Sequence, residues 1–378
     1  MYIKEIKARK IKDSRGEPTI EVTVNNQKAS SPSGKSKGKY ETPSFHINLN
    51  WNIEAINNLS IPFEIISFQD LRKLEFFITK KFKLRSAKQF GANALFALES
   101  AIFKALAKEQ KKQLWQIINP KARTMPIPVG NAIGGGLHSE KQKNHPEFQE
   151  FLLIPNKSSI KDNVKIMNFI YDKLKRIIKT SSKNDEGAWR TSLSNEEILE
   201  ILSKFKEINI GLDVAASSFY KNQEYIYKNK LLDRNSQIEY INSIIKDYNL
   251  LYVEDPLQEE DFNGFSKIRK STSHLIVGDD LIATQMSRLK KAISTHSINA
   301  MIIKPNQNGS LLELQEIFNI CKKHNIKTII SHRSGETLDS ALADYAFAFQ
   351  ADFIKTGIST KWRECKLKRL IEIENSLK

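Results

Sequence analysis

Six short apolar runs, NIGLD (209–213), LLYVE (250–254), LIVGD (275–279), AMIIK (300–304), TIISH (328–332) and DFIK (352–355), each end in an acid, a lysine or a histidine. Their last residues, Asp213, Glu254, Asp279, Lys304, His332 and Lys355, follow one another at intervals of 41, 25, 25, 28 and 23 residues. A strand, a helix and two turns need about that many, so the spacing predicts repeated βα units. In a (β/α)₈ barrel the C-terminal strand ends converge on one mouth, where active sites lie. One acid after a strand is usually a helix cap. Six chemically capable residues in register, three acidic and then three basic, point to a site.

Outward from these runs the chain divides. Residues 1–120 read as a small α+β domain and 121–378 as the barrel domain. Residues 2–9 and 18–25 alternate with period two and predict paired strands. The small, polar stretch 30–42 predicts a mobile loop. Ala94, Leu98, Ala101 and Ala105 mark one face of a helix within 90–107, and Val164, Met167, Leu174 and Ile177 mark another near 161–180.

The 378 residues are 40% apolar, enough for a sizeable core, and carry 59 Lys and Arg against 43 Asp and Glu, a net charge of +16. No apolar run reaches the ~18 residues of a membrane span, and the N-terminus lacks the apolar segment of a secretory signal. Two cysteines, Cys321 and Cys365, make neither a disulfide framework nor a cysteine zinc site. A cytoplasmic protein is expected. Nucleic acid is not an expected partner, because no nucleic-acid module motif accompanies the charge.

Asp213, Glu254 and Asp279 would repel one another unless a cation held them, and an all-oxygen donor set suits Mg²⁺. Lysine beside a divalent metal suggests proton abstraction next to a carboxylate. A lysine base works near neutrality only if its pKa falls from about 10.4 towards 7–8. That predicts a lowered pKa for Lys304, with Lys355 as its cationic neighbour.

The same residues and their flanks carry a family resemblance. DSRGEPTIEVTV (13–24), PSGKSKG (32–38), FGANALFALESAIFKALA (90–107), GGGLHS (134–139), FQEFLLIP (148–155), NDEG (184–187), IGLDVAAS (210–217), VEDP (253–256), VGDDL (277–281), KPNQNG (304–309), SHRSGET (331–337) and IKTG (354–357) resemble enolase, in the family's order. The resemblance runs from residue 3 to about 375. It implies an enolase-type barrel, opening with a ββαα unit, under an N-terminal α+β cap. It implies an Mg²⁺-dependent lyase interconverting 2-phosphoglycerate and phosphoenolpyruvate in glycolysis and gluconeogenesis. Other readings are a different enolase-superfamily lyase and an enolase-like protein kept for binding a polyanion or a surface partner.

By position, the resemblance implies that Asp213, Glu254 and Asp279 hold one Mg²⁺, and that Ser36 closes over the substrate and ligates a second. Lys304 would take the C2 proton and Lys355 would bind the substrate carboxylate. Glu186, partnered by Glu150, would help expel the C3 hydroxyl, with Gln149 a neighbouring site residue. Arg333 and Ser334 match the phosphate contacts, and His138 and His332 complete the wall around the leaving group. Three departures stand out. The stretch between Glu41 and Gly91 is shorter than in typical enolases. The acid loop reads NDEGAWRT where the family usually has GDEGG, and Ala188 in place of glycine is expected to restrict φ. Glu372 stands where dimeric enolases carry an arginine that pairs with the counterpart of Glu21, so a weakened homodimer or a monomer is expected.

Overall fold

The computed structural model describes residues 1–35, 38–139 and 144–377, and only the backbone of His138. The chain opens with a three-stranded antiparallel sheet of β1 (Ile6–Lys12), β2 (Pro18–Val24) and β3 (Gln27–Ser30). The first strand lies later than the alternation of residues 2–9 suggests. Its register on β2 runs from Ile6 opposite Val24 to Lys12 opposite Pro18. The α-ammonium of Met1 is drawn instead to the Ile65 carbonyl at 2.7 Å and Glu64 at 2.9 Å. After β2, Asn25 and Asn26 both adopt positive φ, 44° and 66°, making the tight hairpin turn into β3. The polar stretch expected to be a mobile loop begins inside β3. It is also tied to the barrel, because Ser33 and Gly335 exchange backbone hydrogen bonds of 2.7 and 2.9 Å.

Three helices follow, α1 (Leu49–Asn57), α2 (Leu71–Lys81) and α3 (Ala92–Glu109), with the short α4 (Leu114–Ile118) behind them. The apolar face predicted for α3 packs on β2 and β3, and Ala94, Leu98, Ala101 and Ala105 are buried. Gly91 starts this helix at φ +102°, and a Cβ there would lie 2.5 Å from the Phe45 Cα. Only glycine fits that approach.

The barrel begins with β4 (Ile127–Gly134) and β5 (Glu150–Pro155), continues through α5 (Ile160–Ile177), the two-residue β6 (Trp189–Arg190) and α6 (Asn195–Leu202), and resumes at β7 (Ile208–Asp213). The helix expected near 161–180 ends at residue 177, shortly before Lys179 turns to positive φ. A small hairpin meander, β8 (Tyr220–Lys221), β9 (Glu224–Ile226) and β10 (Leu231–Leu232), precedes α7 (Arg234–Tyr248). Strands and helices then alternate: β11 (Tyr252–Glu254), α8 (Phe262–Ser271), β12 (Leu275–Gly278), α9 (Met286–Ser294) and β13 (Ala300–Ile303). The one-turn α10 (Pro305–Asn308), α11 (Leu311–Lys323), β14 (Lys327–Ser331), α12 (Ala341–Ala348), β15 (Phe353–Lys355) and α13 (Lys361–Ser376) complete the chain.

The sheet order is β15-β14-β13-β12-β11-β7-β5-β4, closed by pairing of β15 with β4, with β6 added beside β4. The barrel is closed and eight-stranded, and β5 runs antiparallel to both its neighbours. The expected ββαα opening is therefore present. Val129, Leu152, Ile154, Tyr252, Val277, Ala300, Ile302, Ile329 and Phe353 fill the interior as an apolar cluster of their own. No helix among the described residues is long and apolar enough to cross a membrane.

Candidate active site

Each of the six runs forms a parallel barrel strand with its acid, lysine or histidine at or just beyond the C-terminal end. Asp213 lies beside Glu254 across the β7–β11 pairing, and Ser331, next to His332, lies beside Lys355. Because β5 is antiparallel, its first residue reaches the same mouth, and Glu150 sits opposite Asp213. Gln149, Glu150, Glu186, Asp213, Asp279, Lys304, His332, Arg333, Ser334 and Lys355 line one cavity of about 390 Å³. Glu254 is completely buried and stands behind the wall. The backbone of His138 lies in a helical turn after β4, its side chain outside the description. Ser36 lies outside the described residues.

Two lysines, the buried Lys355 and the half-buried Lys304, organise the charge. Lys355 Nζ bonds Glu254 at 2.8 Å, Glu150 at 2.9 Å and Asp213 at 3.1 Å. Burial favours its neutral form, yet Asp213, Glu150 and Glu254 together raise its pKa well above the usual lysine value. Burial raises Glu254 well above the usual carboxylate range, and the charge of Asp213 adds to this. The Tyr252 hydroxyl donates to Glu254 Oε2.

Lys304 is paired with Asp279. The lowered pKa expected for Lys304 is not what the structure gives. Burial acts in that direction but is outweighed by the Asp279 carboxylate, so the lysine is shifted upward. Its principal cationic neighbour is Arg333 and not Lys355, whose ammonium is engaged by three acids.

Beneath this pair, Asp255 accepts the backbone N–H groups of Asp279 at 3.0 Å and Asp280 at 2.7 Å, fixing the turn after β12. Carboxylate oxygens of Asp255, Asp279 and Asp280 lie within 4.8 Å of one another. Burial and the charge of Asp279 push Asp280 up to about 7. Glu254 Oε1 and Asp279 Oδ1 are buried with no hydrogen-bond partner among the described residues. Crowded, buried, oxygen-only donors with unmet acceptor capacity fit a hard divalent cation.

On the opposite wall, Arg333 Nη2 makes two 3.0 Å bonds to the carboxylate of Glu41, and Nη1 bonds Asn306 Oδ1 at 3.2 Å. Ser334 Oγ accepts the Lys35 N–H at 2.8 Å. His332 is held well below the ordinary histidine value by burial, then by Arg363, Lys355, Lys366 and Lys304, so its ring is neutral. Its Nε2 lies 3.9 Å from Glu186 Oε2.

Glu186 sits in a tight turn. Asn184 Oδ1 accepts the N–H groups of both Glu186 and Ala188 at 3.0 Å. The left-handed residue of this turn is Gly187, at φ +85°, while Ala188 keeps negative φ. The restriction expected from Ala188 therefore falls where it costs nothing. Sequence reasoning did not single out Glu41, Asn184 or Asp255. Asp255 was visible inside VEDP, and Glu41 stands at the end of the small-domain loop.

Comparison with known proteins places the chain. Residues 3–118 match the family described as enolase, N-terminal domain, and residues 122–378 match enolase, C-terminal TIM barrel domain. The chain belongs to the enolase family. It is 36% identical over 404 residues to the enolase of Picrophilus torridus, covering 99% of both chains. It is 36% identical over 410 residues to that of Ehrlichia canis, covering 99% of this chain and 96% of the relative. Against the enolase of Methanosphaera stadtmanae it is 36% identical over 405 residues, covering 99% and 97%. These alignments are longer than the 378-residue chain, so the relatives carry residues that it lacks.

Proposed function

We propose that the chain is a hydro-lyase, phosphopyruvate hydratase, which dehydrates 2-phospho-D-glycerate reversibly to phosphoenolpyruvate in glycolysis and gluconeogenesis. Lys304 takes the C2 proton as general base, a role open to it once a cation engages Asp279 and that carboxylate no longer holds the lysine protonated. The electron pair of the broken C–H bond moves towards the substrate carboxylate, which Lys355 holds, and returns to form the C2–C3 double bond as the C3–O bond breaks. Glu186, with Glu150 as partner, gives a proton to the departing hydroxyl so that it leaves as water. His138 and His332 wall the leaving group, Gln149 flanks it, and Arg333 and Ser334 hold the phosphate. Asp213, Glu254 and Asp279 hold one Mg²⁺ and Ser36 contributes to a second. These ions supply neutralisation of the carboxylate charge that grows as the C2 proton leaves. Exclusion of water from the mouth protects that charge from quenching.

The observation that carries this reading is the convergence of Lys304, Glu186 and Arg333 on one cavity beside a crowded set of buried carboxylates. The division at residue 120 gives the barrel as catalytic body, with the cap supplying Ser36. We read the protein as cytoplasmic, and as a weak homodimer or a monomer. In support of the last point, Glu21 is paired with Arg9 at 2.7 Å and Glu372 with Arg369 at 3.1 Å within the chain. Light scattering that finds a tight dimer at nanomolar concentration overturns it.

The deciding assay mixes purified protein, Mg²⁺ and 2-phosphoglycerate and follows the ultraviolet absorbance of phosphoenolpyruvate. Turnover that needs Mg²⁺ and disappears in Lys304→Ala is expected. No turnover with the metal present rejects the function.

A further inference from the structure

The turn that carries Glu186 is gripped by side chains that the catalytic reading does not use. From α5, the Tyr171 hydroxyl donates to the Gly187 carbonyl at 2.5 Å. The Trp189 ring stacks on Tyr171 with centroids 4.7 Å apart, and its Nε1–H donates to the Tyr171 carbonyl at 2.8 Å. Lys183 lies over both rings, 4.5 Å from the centre of Trp189 and 5.1 Å from that of Tyr171, and bonds Ser359 Oγ at 2.9 Å. On the far side the turn has no slack. A Cβ at Gly187 would lie 2.3 Å from the Ser359 carbonyl oxygen, in the loop that follows Lys355.

We propose that Tyr171 and Trp189, bridged to the Ser359 loop by Lys183, are positioning residues for Glu186. They clamp its turn between α5 and the loop after β15, and so set the acid at the leaving group. The proposal rests on the reading of Glu186 as that acid. Tyr171 and Trp189 are buried, neither lines the cavity, and their side-chain polar atoms bond backbone carbonyls of this clamp. A displacement of the turn by a fraction of an ångström misplaces a proton donor while leaving Lys304, on another strand, where it is.

That separation provides the test. C2 proton removal is read by exchange of the 2-phosphoglycerate C2 hydrogen with solvent deuterium, followed by NMR. Loss of the C3 hydroxyl is read by phosphoenolpyruvate formation. In Tyr171→Phe, dehydration is expected to fall about 5- to 10-fold, the loss of one hydrogen bond's worth of positioning, while C2 exchange falls less than about 2-fold. Trp189→Phe, which keeps a ring but loses the Nε1–H, should show the same split more mildly. Retained exchange is itself the proof of folding. A variant that loses both activities in parallel, or neither, overturns the clamp. Glu186→Gln separates the two levels of inference. If it leaves the ratio of dehydration to exchange unchanged, the assignment of Glu186 fails and the clamp with it. If it lowers that ratio while Tyr171→Phe and Trp189→Phe do not, the clamp alone is wrong.

Discussion

Glutamine in place of Glu99 is expected to stabilise the protein, and increasingly so as pH rises. Glu99 is fully buried in α3 and accepts the Leu311 N–H at the start of α11 through Oε2 at 2.8 Å. Its Oε1 accepts no N–H or O–H among the described residues, and the protonated carboxyl is the donor in a side-chain hydrogen bond with Glu75. Burial pushes its pKa well up, the neighbouring Glu75 carboxyl pushes it further, and the Leu311 N–H only partly offsets them. Glu75, on α2, is itself raised by burial, although the Ser310 hydroxyl donates to it at 2.5 Å. Glu313 and Lys88, which pair at 3.0 Å, are the other charged groups acting on Glu75 there. Because the folded pKa of Glu99 lies above the unfolded one, its contribution is fully present below about pH 4.3 and is lost as pH rises towards the folded value. At about 1.4 kcal/mol per pH unit, keeping the proton costs about 1 kcal/mol at pH 5 and at most about 4 kcal/mol at pH 7. The glutamine side chain retains an oxygen for the Leu311 N–H and never ionises. Urea unfolding of both proteins at pH 5 and pH 7 should show the variant's advantage growing by up to about 3 kcal/mol. An equal gap at the two pH values, or a variant less stable at both, refutes the reasoning.

Lys355→Met removes the shared cation of Glu150, Asp213 and Glu254 and is expected to cost about 3–5 kcal/mol in chelator-treated protein, the usual cost of stranding buried charges. Thermal melts should show a smaller loss with saturating Mg²⁺, and equal losses would argue against those carboxylates holding a cation. Glu41→Gln leaves the buried guanidinium of Arg333 without its bidentate partner, so the melting temperature should fall and inorganic phosphate should restore it. A phosphate-induced shift no larger than that of the unchanged protein would mean that Arg333 does not meet the phosphate.

What could be read in the sequence follows from barrel geometry. In parallel strands every C-terminal end faces one way, so Asp213, Glu254, Asp279, Lys304, His332 and Lys355 could be grouped by spacing alone. Gln149 and Glu150 could not, since they stand just before and at the start of a strand that runs against its neighbours, and only family resemblance brought them in. Periodicity says which face of a helix is apolar but assumes that an acid on it faces water, so the full burial of Glu99 and the half-burial of Glu75 were not foreseen. The Lys304 expectation failed for a related reason. Spacing along the chain set Lys355 nearby but could not show that three carboxylates claim it, or that Asp279 claims Lys304.

The acid loop shows how two departures from a family pattern need to be read together. Taken alone, Ala188 looks like a restriction where glycine is usual. The structure assigns the left-handed conformation to Gly187, which is retained, and closes the turn through the side chain of Asn184, which also replaces a glycine. Alanine at a compatible φ removes conformational freedom from the unfolded chain, worth about 0.4–1 kcal/mol. An asparagine oxygen that accepts two backbone N–H groups adds local hydrogen bonds that glycine cannot make. Both changes favour the same turn, and Tyr171 and Trp189 grip it from outside. The loop that presents Glu186 is therefore held by side chains in this chain where the family pattern relies on glycines, which is why perturbing Tyr171 should register in the dehydration step before it registers in folding.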